Sequence, residues 1–465
     1  MVDGNANSRS RYARSIGRGL TIIFVLLLTA APAIAAEELT GRLIVVTSFP
    51  EKLFGRFTTA FQQHHSKVKI HVRSKKTSAA ISFVQERKGE PVDIIWASAP
   101  DAFEVLKKSG HLARAFRIPA EKITRVGGYP LDDPDGYYRG FAISGYGIMW
   151  NRPYLARRGL PEPRQWNDLR SPLYFRHLGI SAPSRSGTTH LIIETILQGM
   201  GWEKGWAALL EIGGNLATVT ARSFGVLDGV RRGRFGAGLV IDFFGLSAIS
   251  TGAPVGFAYP EATVFLPANI AVVKGAGNQR AAEAFIRFIL SPVGQGILLE
   301  PEISRLPVRR ETYRQARDDY PNPFDSKLTD KGFRFDTELS RTRYHLVNAL
   351  FDTMITYHLK GLNRTWSAIH KAAAALPPSA ADALKSRLET ARRLARRVPV
   401  DPAQASDPAF ASRFVRRKPG LPVPAHQVEL EKAWERFARD SHMEATRIAN
   451  EVAAEATNSQ PAAKP

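Results

Sequence analysis

Leu-Ile-Val-Val-Thr at residues 43–47 opens a repeating pattern of strand and helix. Residues 68–72 (Val-Lys-Ile-His-Val) alternate between apolar and polar side chains, which predicts a second strand, and residues 93–97 (Asp-Ile-Ile-Trp-Ala) predict a third. Between these runs, apolar residues recur at helical spacing in residues 53–61 and 81–84. Strands that alternate with helices at this spacing predict an α/β fold with a parallel, doubly wound sheet.

Hydroxyl residues stand where each of these strands ends or the next helix begins. They are Thr47 and Ser48, Thr77 and Ser78, and Ser98. In open α/β sheets the ligand binds beyond the carboxyl ends of the strands, so we expect these side chains to face a ligand. The alternative is that each one caps a helix. The sequence Ser-Ala-Pro-Asp at 98–101 predicts such a capping box for the third helix.

A second lobe begins after residues 141–150, which we interpret as a strand that crosses between lobes. Its first strand, at 179–182, runs into a helix over 191–198 through a polar loop. The predicted ligand-binding residues of this loop are Ser184, Arg185, Ser186, Gly187 and Thr188. Backbone N–H groups at a helix start favour an anion, and an arginine adds a bidentate contact to phosphate or carboxylate. Glycine would let the backbone approach the ligand. A capped helix with a surface arginine is the alternative.

Later strands of the same lobe end in further candidates. Arg222 and Ser223 repeat the arginine and hydroxyl pattern before a glycine, which strengthens the prediction of an anion site. Asp242 would oppose an anion, so it would bind a ligand hydroxyl or ammonium, hold an arginine, or cap a helix. Tyr259 ends the next strand, before Pro260, and completes the predicted binding set.

The first 35 residues have the three parts of a cleavable secretory signal. Four arginines precede an apolar run at 20–31, and Ala33-Ile34-Ala35 forms a small-x-small cleavage site. A membrane-spanning helix needs roughly 20 apolar residues, so a retained anchor is the weaker alternative. We predict a periplasmic mature protein that does not span the membrane. The chain has no cysteine, which excludes disulfides, cysteine metal sites and lipid attachment at a lipobox cysteine.

The formal net charge is +21. A positive field gathers anions at a cleft, although arginine-rich surfaces are also typical of basic proteomes. Export to the periplasm argues against nucleic acid as the partner. The chain contains no G-x-S-x-G, H-E-x-x-H or P-loop motif. His64-His65 has no second pair of ligands nearby, and His190 fits a helix residue near the cleft better than a catalytic base. We therefore expect no catalytic residue, no metal site and no cofactor.

The pattern changes beyond residue 335. Residues 336–456 contain amphipathic helical patterns, and residues 457–465 have the composition of a disordered tail. We interpret residues 336–456 as a helical C-terminal extension. It would either dock on a partner or pack as a buttress against one lobe.

Several of these segments resemble the type II periplasmic solute-binding proteins of ABC transporters, extracellular solute-binding family 1. The resemblance is carried by residues 92–95, Ser98 with Asp101, 182–191, 201–206, 213–216, 221–226, 240–242, 282–286, 290–292 and Phe351-Asp352-Thr353. It covers nearly the whole mature chain. The chain is similar in particular to members that serve phosphoglycerate transport and its regulation.

This resemblance implies two hinged lobes that close on a solute. The first lobe would comprise residues 36–142 and 268–335, and the second lobe residues 143–267. The protein would be a monomeric binding component or sensor for a phosphoglycerate-like anion, and its partner an inner-membrane permease or a sensor kinase. The alternatives are a signalling adaptor without tight solute binding, or a binder of ferric iron, a polyamine or 2-aminoethylphosphonate. Iron-binding members use paired tyrosines, for which only Tyr259 is a counterpart here.

Overall fold

The structure is a computed structural model that describes residues 38–86, 91–116, 123–329, 332–415, 417 and 421–458. The predicted signal at residues 1–35 lies outside the described residues, as do residues 459–465 of the predicted tail. The strands within the described residues are β1 (Gly41–Thr47), β2 (Val68–Ser74), β3 (Ile94–Ala97), β4 (Arg125–Val126), β5 (Tyr129–Pro130), β6 (Arg139–Asn151), β7 (Leu178–Ser181), β8 (Leu216–Thr220), β9 (Ala237–Ile241), β10 (Val255–Ala258), β11 (Phe265–Val272) and β12 (Leu306–Pro307).

Helices follow most of these strands, as the alternating pattern predicts. They are α1 (Glu51–His64), α2 (Thr77–Glu86), α3 (Pro100–Lys108), α4 (Arg152–Arg158), α5 (Gly187–Met200), α6 (Trp202–Gly214), α7 (Ser223–Arg231), α8 (Asp242–Ser250), α9 (Gln279–Ile289), α10 (Pro292–Ile297), α11 (Ser326–Thr329), α12 (Thr337–Thr342), α13 (Tyr344–Phe351), α14 (Leu359–Ala375), α15 (Asp382–Ala395), α16 (Pro402–Ser406), α17 (Pro408–Ala411) and α18 (Ala425–Asn458). Short 3₁₀ turns include Pro183–Arg185, and a π-helical turn spans Asp352–Thr356.

The first part of the sheet has the strand order β2-β1-β3-β11-β6. Strand β1 pairs in parallel with β2 and β3, which confirms the predicted α/β fold. Strand β11 runs antiparallel to both β3 and β6. The carboxyl ends of the three parallel strands therefore lie at one edge of the sheet, as the prediction of a ligand site requires.

Strand β6 is 13 residues long and belongs to both parts of the sheet. Its first residues pair with β11, and residues 146–150 pair with β9, beyond which lie β7 and β8. We call the part around β1, β2, β3 and β11 the first lobe and the part around β7, β8 and β9 the second lobe. The predicted boundaries near residues 142 and 267 fall inside the shared strands β6 and β11 and stay predictions.

The predicted capping box at Ser98 is wrong. Helix α3 begins at Pro100, and its N-cap is Ala99, whose methyl group accepts no hydrogen bond. The proline fixes the first turn without a polar cap, because its missing N–H needs no partner there. Ser98 is therefore not engaged as the helix cap and remains at the edge of the sheet.

The helical extension packs tightly against the second lobe. Helix α14 lies on α6, where a Cβ on Gly214 would come within 2.1 Å of Cδ1 of Trp366. The side chain of Leu362 approaches Gly213 in the same way. Helices α14, α15 and α18 also pack on one another. This arrangement is that of a buttress, since the glycines of α6 admit the aromatic side chain of the extension into a common core.

Among the described residues, no helix combines the length and the apolar character that crossing a membrane requires. The longest helix, α18, spans 34 residues but carries charged residues throughout.

Candidate functional site

A cavity of about 390 Å³ opens at the edge where the two lobes meet. We call it the cleft. Most of the predicted binding residues line it, namely Ser48, Thr77, Ser98, Ser184, Arg185, Ser186, Gly187, Thr188, Arg222 and Ser223. Lys75 and Lys76, which follow β2, also line it. So do residues that the sequence did not single out, namely Phe49, Pro50, Ser74, Phe224, Phe243, Phe244, Arg305 and Tyr344. Ser78, which was predicted with them, lies in the first turn of α2.

The first lobe contributes the residues that follow its parallel strands. Ser48 comes directly after β1, Lys75 after β2, and Ser98 after β3. The hydroxyl oxygen of Ser48 is buried and has no hydrogen-bond partner among the described residues. A buried hydroxyl is costly unless something satisfies it, so this oxygen indicates a ligand or a water molecule in the cleft.

The second lobe presents the start of α5 to the cleft. Ser186 caps this helix, because its side chain accepts a hydrogen bond of 3.2 Å from the backbone N–H of Thr189. Gly187 is the first residue of the helix, and a Cβ there would lie 3.5 Å from Cβ of Ala99 and 3.8 Å from Oγ1 of Thr77. Gly187 therefore faces the first lobe, close to Ala99 and Thr77.

Arg222 precedes α7 as its N-cap residue, without a capping bond from its side chain. Its guanidinium carbon lies 5.7 Å from the ring centroid of Phe224. Both side chains are exposed at the cleft, and Phe224 is 55% exposed. The guanidinium group is thus held near an aromatic face in a position from which it can bind an anion.

Arg305 is the most buried cation of the cleft and was missed by the sequence. Only 2% of it is exposed, and its guanidinium carbon lies 3.5 Å from the ring centroid of Phe243 and 4.8 Å from that of Phe49. Within the described part of the chain, its Nη1 atom has no hydrogen-bond partner. Burial lowers the pKa of Arg305 to about 9, although the charge of Asp242 acts in the opposite direction. No motif in the sequence marks this residue.

The remaining predicted residues lie behind the cleft wall. Thr47 is fully buried, and its hydroxyl donates to the carbonyl of Trp96 (2.8 Å) and accepts from the N–H of Phe49 (3.1 Å). It therefore links β1 to β3 instead of facing the cleft. Strand geometry explains the difference from Ser48, because successive side chains point to opposite sides.

Asp242, which is buried, and Tyr259, which is half-buried, form a hydrogen-bonded pair at the crossing strand. The carboxylate of Asp242 accepts hydrogen bonds from the N–H of Gly145 on β6 (2.6 Å), the N–H of Phe243 (2.7 Å) and the hydroxyl of Tyr259 (3.1 Å). Burial raises the pKa of Asp242 to about 7, and these bonds and the charge of Arg305 oppose that rise. Burial also raises the pKa of Tyr259 well above its ordinary value. This pair fastens α8 to β6 and does not line the cleft.

His190 is fully buried in α5. Its Nδ1 lies 3.0 Å from Oδ1 of Asn348, and its Nε2 lies 3.1 Å from Oγ of Ser340, both in the helical extension. It therefore joins the second lobe to the extension, in agreement with the prediction that it is a helix residue. The described residues contain no group of three or more metal-ligating side chains.

Comparison with known proteins identifies the family. Residues 89–332 match the family of bacterial extracellular solute-binding proteins. The chain is 32% identical over 380 residues to the phosphoglycerate transport regulatory protein PgtC of Salmonella typhimurium, with 82% of this chain and 91% of the relative covered. The protein therefore belongs to the bacterial extracellular solute-binding family.

Solved structures share the fold. The periplasmic binding protein AfuA of Actinobacillus pleuropneumoniae, with fructose-6-phosphate bound, aligns with a TM-score of 0.59 at 22% identity, and covers 67% of this chain and 98% of its own. Iron-bound HitA of Pseudomonas aeruginosa aligns with a TM-score of 0.51 at 18% identity, and covers 62% of this chain and 92% of its own. At these identities the similarity concerns the fold alone. The fold is that of the periplasmic binding proteins, as the sequence predicts.

Proposed function

We propose that the protein is the periplasmic binding component or sensor of an uptake system, and that it binds a small phosphorylated or carboxylated anion in the cleft. The observation that carries this proposal is the charge of the cleft lining. Among the described residues that line it are Arg185, Arg222, Arg305, Lys75 and Lys76, with no aspartate or glutamate. A cavity lined by cations alone favours an anionic solute, because the low-dielectric walls strengthen its field.

The polar groups of the cleft supply much of the free energy that anion binding requires. A micromolar dissociation constant corresponds to about 8 kcal/mol. Charge-assisted contacts from two arginines would each contribute roughly 1.5–3 kcal/mol. The backbone N–H groups at the start of α5 and the hydroxyls of Ser48 and Ser98 add further donors. The two arginines together thus supply roughly 3–6 kcal/mol of the interaction free energy, and the other cations and donors add to it against the entropy cost of binding.

Lobe closure follows from the arrangement of these groups. An anion held by Arg185 and Arg222 on one side and by Lys75 on the other contacts both lobes. Only a ligand that binds the closed state more tightly than the open state drives closure. Gly187 lies close to Ala99 and Thr77 across the cleft, so the lobes approach closely at this point without a steric barrier.

Phosphoglycerate is the ligand that we propose to test first, since the relative PgtC is a phosphoglycerate transport regulatory protein. A polyamine is disfavoured by the cationic lining. Ferric iron is disfavoured because the hydroxyl of Tyr259 is hydrogen-bonded to Asp242 and Tyr259 does not line the cleft.

Calorimetry on the chain without residues 1–35 tests the proposal. The ligands are 3-phosphoglycerate, phosphoenolpyruvate, inorganic phosphate, 2-aminoethylphosphonate, putrescine and ferric citrate. We expect micromolar binding of at least one phosphorylated carboxylate, weakened by added salt because the contacts are ionic. Binding of putrescine or ferric citrate alone would refute the proposal.

The name of the relative also supports a regulatory role, in which the partner is a membrane sensor kinase instead of a permease. A strain that lacks this gene separates the two roles when the permease is expressed from a constitutive promoter. Uptake of 3-phosphoglycerate that still requires this protein would indicate delivery to the permease. Uptake that no longer requires it would indicate regulation.

A further inference from the structure

The helical extension reaches the cleft, although it begins beyond residues 89–332, which match the family. Tyr344 is the first residue of α13 and belongs to the cleft lining. Helix α13 packs against the 3₁₀ turn Pro183–Arg185, which carries two of the predicted binding residues. Of the described residues that line the cleft, Tyr344 is the one that comes from the extension. A buttress against the second lobe does not require a residue in the cleft lining, so Tyr344 indicates a further role of the extension.

The ring of Tyr344 packs on the first turn of α5. Its centroid lies 4.0 Å from that of the His190 imidazole ring, and the two planes are inclined by 42°. His190 is fully buried and belongs to the first turn of this helix, which begins at Gly187 and faces the cleft. The proposed anion site uses the backbone N–H groups at the same helix start. The tyrosine ring therefore lies beside the groups that would hold the ligand.

Two contacts fix His190 beneath this ring. Its Nδ1 lies 3.0 Å from Oδ1 of Asn348, and its Nε2 lies 3.1 Å from Oγ of Ser340. Both partners belong to the extension, on either side of Tyr344 along the chain. The ring of Tyr344 thus packs on a side chain whose orientation the same segment determines. A side chain that is already restricted by its neighbours loses less entropy when it contacts a ligand.

Buried and reciprocal bonds hold the segment that precedes Tyr344. Arg343 donates two hydrogen bonds to the carboxylate of Glu194 on α5, with lengths of 2.9 Å and 2.8 Å, and both side chains are buried. The backbone N–H of Asp336 donates to Oε1 of Gln198 (2.8 Å), and its carbonyl accepts from Nε2 of Gln198 (3.1 Å). A buried bidentate ion pair is strongly oriented, because loss of either partner leaves an uncompensated charge. Tyr344 therefore follows a segment that is firmly attached to the second lobe.

The same segment also contacts the first lobe. Nζ of Lys108 on α3 lies 2.6 Å from Oε2 of Glu338, and the hydroxyl oxygen of Tyr129 lies 2.7 Å from that of Thr337. Helix α12 packs against α3 over this stretch. The extension therefore contacts both lobes as well as the cleft.

An aromatic ring offers a contact that an inorganic ion cannot use. The aromatic residues of the cleft place apolar surface beside its cations, and they are Phe49, Phe224, Phe243, Phe244 and Tyr344. Carbon atoms bury apolar area against such rings, whereas a bare phosphate ion is polar on every side. The lining therefore suits an anionic group that is carried on a carbon skeleton.

We propose that Tyr344 is a ligand-contacting residue, and that its ring packs against the carbon skeleton of the anion in the cleft. The extension thus completes the ligand site, besides its packing against the second lobe. This inference rests on the proposed function, because it requires an organic anion in the cleft.

Calorimetry on the chain without residues 1–35 measures the contribution of the ring. The ligand is 3-phosphoglycerate, or phosphoenolpyruvate if only that one binds to the wild type. Tyr344→Ala should weaken binding about threefold to tenfold, which is the usual worth of one aromatic contact. Tyr344→Phe keeps the ring, so its affinity should stay within about twofold of the wild type. Equal losses in the two variants would overturn the role of the ring.

Thiol labelling distinguishes a ligand contact from a structural role. The chain has no cysteine, so Tyr344→Cys supplies the single thiol. A saturating concentration of the same ligand should slow its reaction with a maleimide about fivefold or more, because the reaction requires access to the thiol. A residue with a structural role alone would react at the same rate with and without ligand.

Tyr357 is the matched control. It belongs to the same extension and is 59% exposed. It lines a second cavity, of about 310 Å³, that shares Ser184, Arg185 and Tyr344 with the cleft, but it does not line the cleft itself. Tyr357→Ala should bind the ligand as the wild type does. The thiol of Tyr357→Cys should react at the same rate with and without ligand.

The possible outcomes separate the two proposals. If the wild type binds none of the anions, the proposed function fails and this inference fails with it. Only this inference is refuted if the wild type binds a phosphorylated carboxylate but Tyr344→Ala keeps full affinity, or if the ligand leaves the labelling of Tyr344→Cys unchanged. Should Tyr344→Ala or Tyr344→Cys not fold, Tyr344→Leu replaces it, because leucine keeps apolar volume against His190. Unchanged affinity of folded Tyr344→Leu would then refute the contact.

Discussion

The cleft has an exposed wall and a buried wall, and both carry cations. Arg185 and Arg222 form the exposed wall, at the starts of helices. Arg305 forms the buried wall between Phe49 and Phe243. An exposed arginine keeps its hydration, so its presence costs little folding free energy. A buried arginine loses its hydration, and other interactions must offset that loss. The buried arginine is therefore the stronger indication of a ligand, because folding alone does not account for it.

The largest difference between the two walls should appear when Arg305 is replaced. Arg305→Met keeps an apolar side chain of similar length between the two rings but removes the charge. We expect anion affinity to fall about 100-fold or more, in line with the loss of one partner from a buried charge pair. The free energy of unfolding should stay equal or rise by about 1 kcal/mol, because an incompletely paired buried cation is removed.

Calorimetry and thermal unfolding of the ligand-free variant measure the two effects. Arg157→Met on the exposed surface of α4 is the control and should change neither quantity. Loss of stability together with unchanged anion affinity would mean that Arg305 has a structural role. The conclusion that the buried wall contributes most to anion binding would then be wrong.

The carboxyl group of Asp242, behind the cleft wall, should make the stability of the protein depend on pH. Asp242 has a pKa raised from 3.8 to about 7 by burial, so the folded state holds its proton in a range where the unfolded state has lost it. Its contribution to stability is fully present below about pH 4 and is lost as the pH rises to about 7. The loss should be on the order of 3 kcal/mol relative to Asp242→Asn, which has no such proton.

Denaturant unfolding of both proteins between pH 4 and pH 8 tests this difference. Asp382→Asn is the matched control, because the Asp382 side chain is fully exposed, and its curve should parallel that of the wild type. If the free energies of unfolding of the wild type and Asp242→Asn differed by the same amount at every pH in this range, the raised pKa of Asp242 would be contradicted.

The exposed wall should affect binding without affecting stability. Arg185→Ala and Arg222→Ala should each weaken anion binding about tenfold, because each removes one charge-assisted contact. Their unfolding free energies should remain within about 0.5 kcal/mol of the wild type, as is usual for exposed residues. Unchanged affinity in both variants would move the anion site away from this wall.

The smallest effects should distinguish two adjacent residues. Thr47→Val leaves the N–H of Phe49 without its side-chain partner and removes one of the two hydrogen bonds to the carbonyl of Trp96, which the N–H of Ser48 also contacts. The variant should lose about 1–3 kcal/mol of stability with unchanged binding. Ser48→Ala removes a hydroxyl that has no partner among the described residues, and should weaken binding about threefold with little effect on folding. Unfolding and calorimetric measurements on the two variants compare these effects. If both variants changed stability and binding equally, the conclusion that Ser48 faces the cleft and Thr47 does not would be wrong.

The residues of the exposed wall could be predicted because ligand-binding residues in α/β sheets lie where strands end and helices begin. Ser98, Ser186 and Arg222 stand at the ends of strands or the starts of helices, and parallel strands bring these ends together whatever their separation in the chain. The choice between Thr47 and Ser48 was not predictable in this way. It depends on which side of β1 faces the cleft, and the apolar run at 43–46 has no alternation that would reveal this.

The amino-acid sequence alone determined the strand and helix order, the family resemblance and the chemistry of the exposed wall, since these depend on local patterns. Only the tertiary structure revealed Arg305 and Tyr344 at the cleft. They come from segments that are remote in sequence, and long-range packing brings them together. The tertiary structure also showed that Asp242, a predicted ligand-binding residue, has a structural role. Its carboxylate accepts hydrogen bonds from the N–H of Gly145 and the hydroxyl of Tyr259 and does not face the cleft.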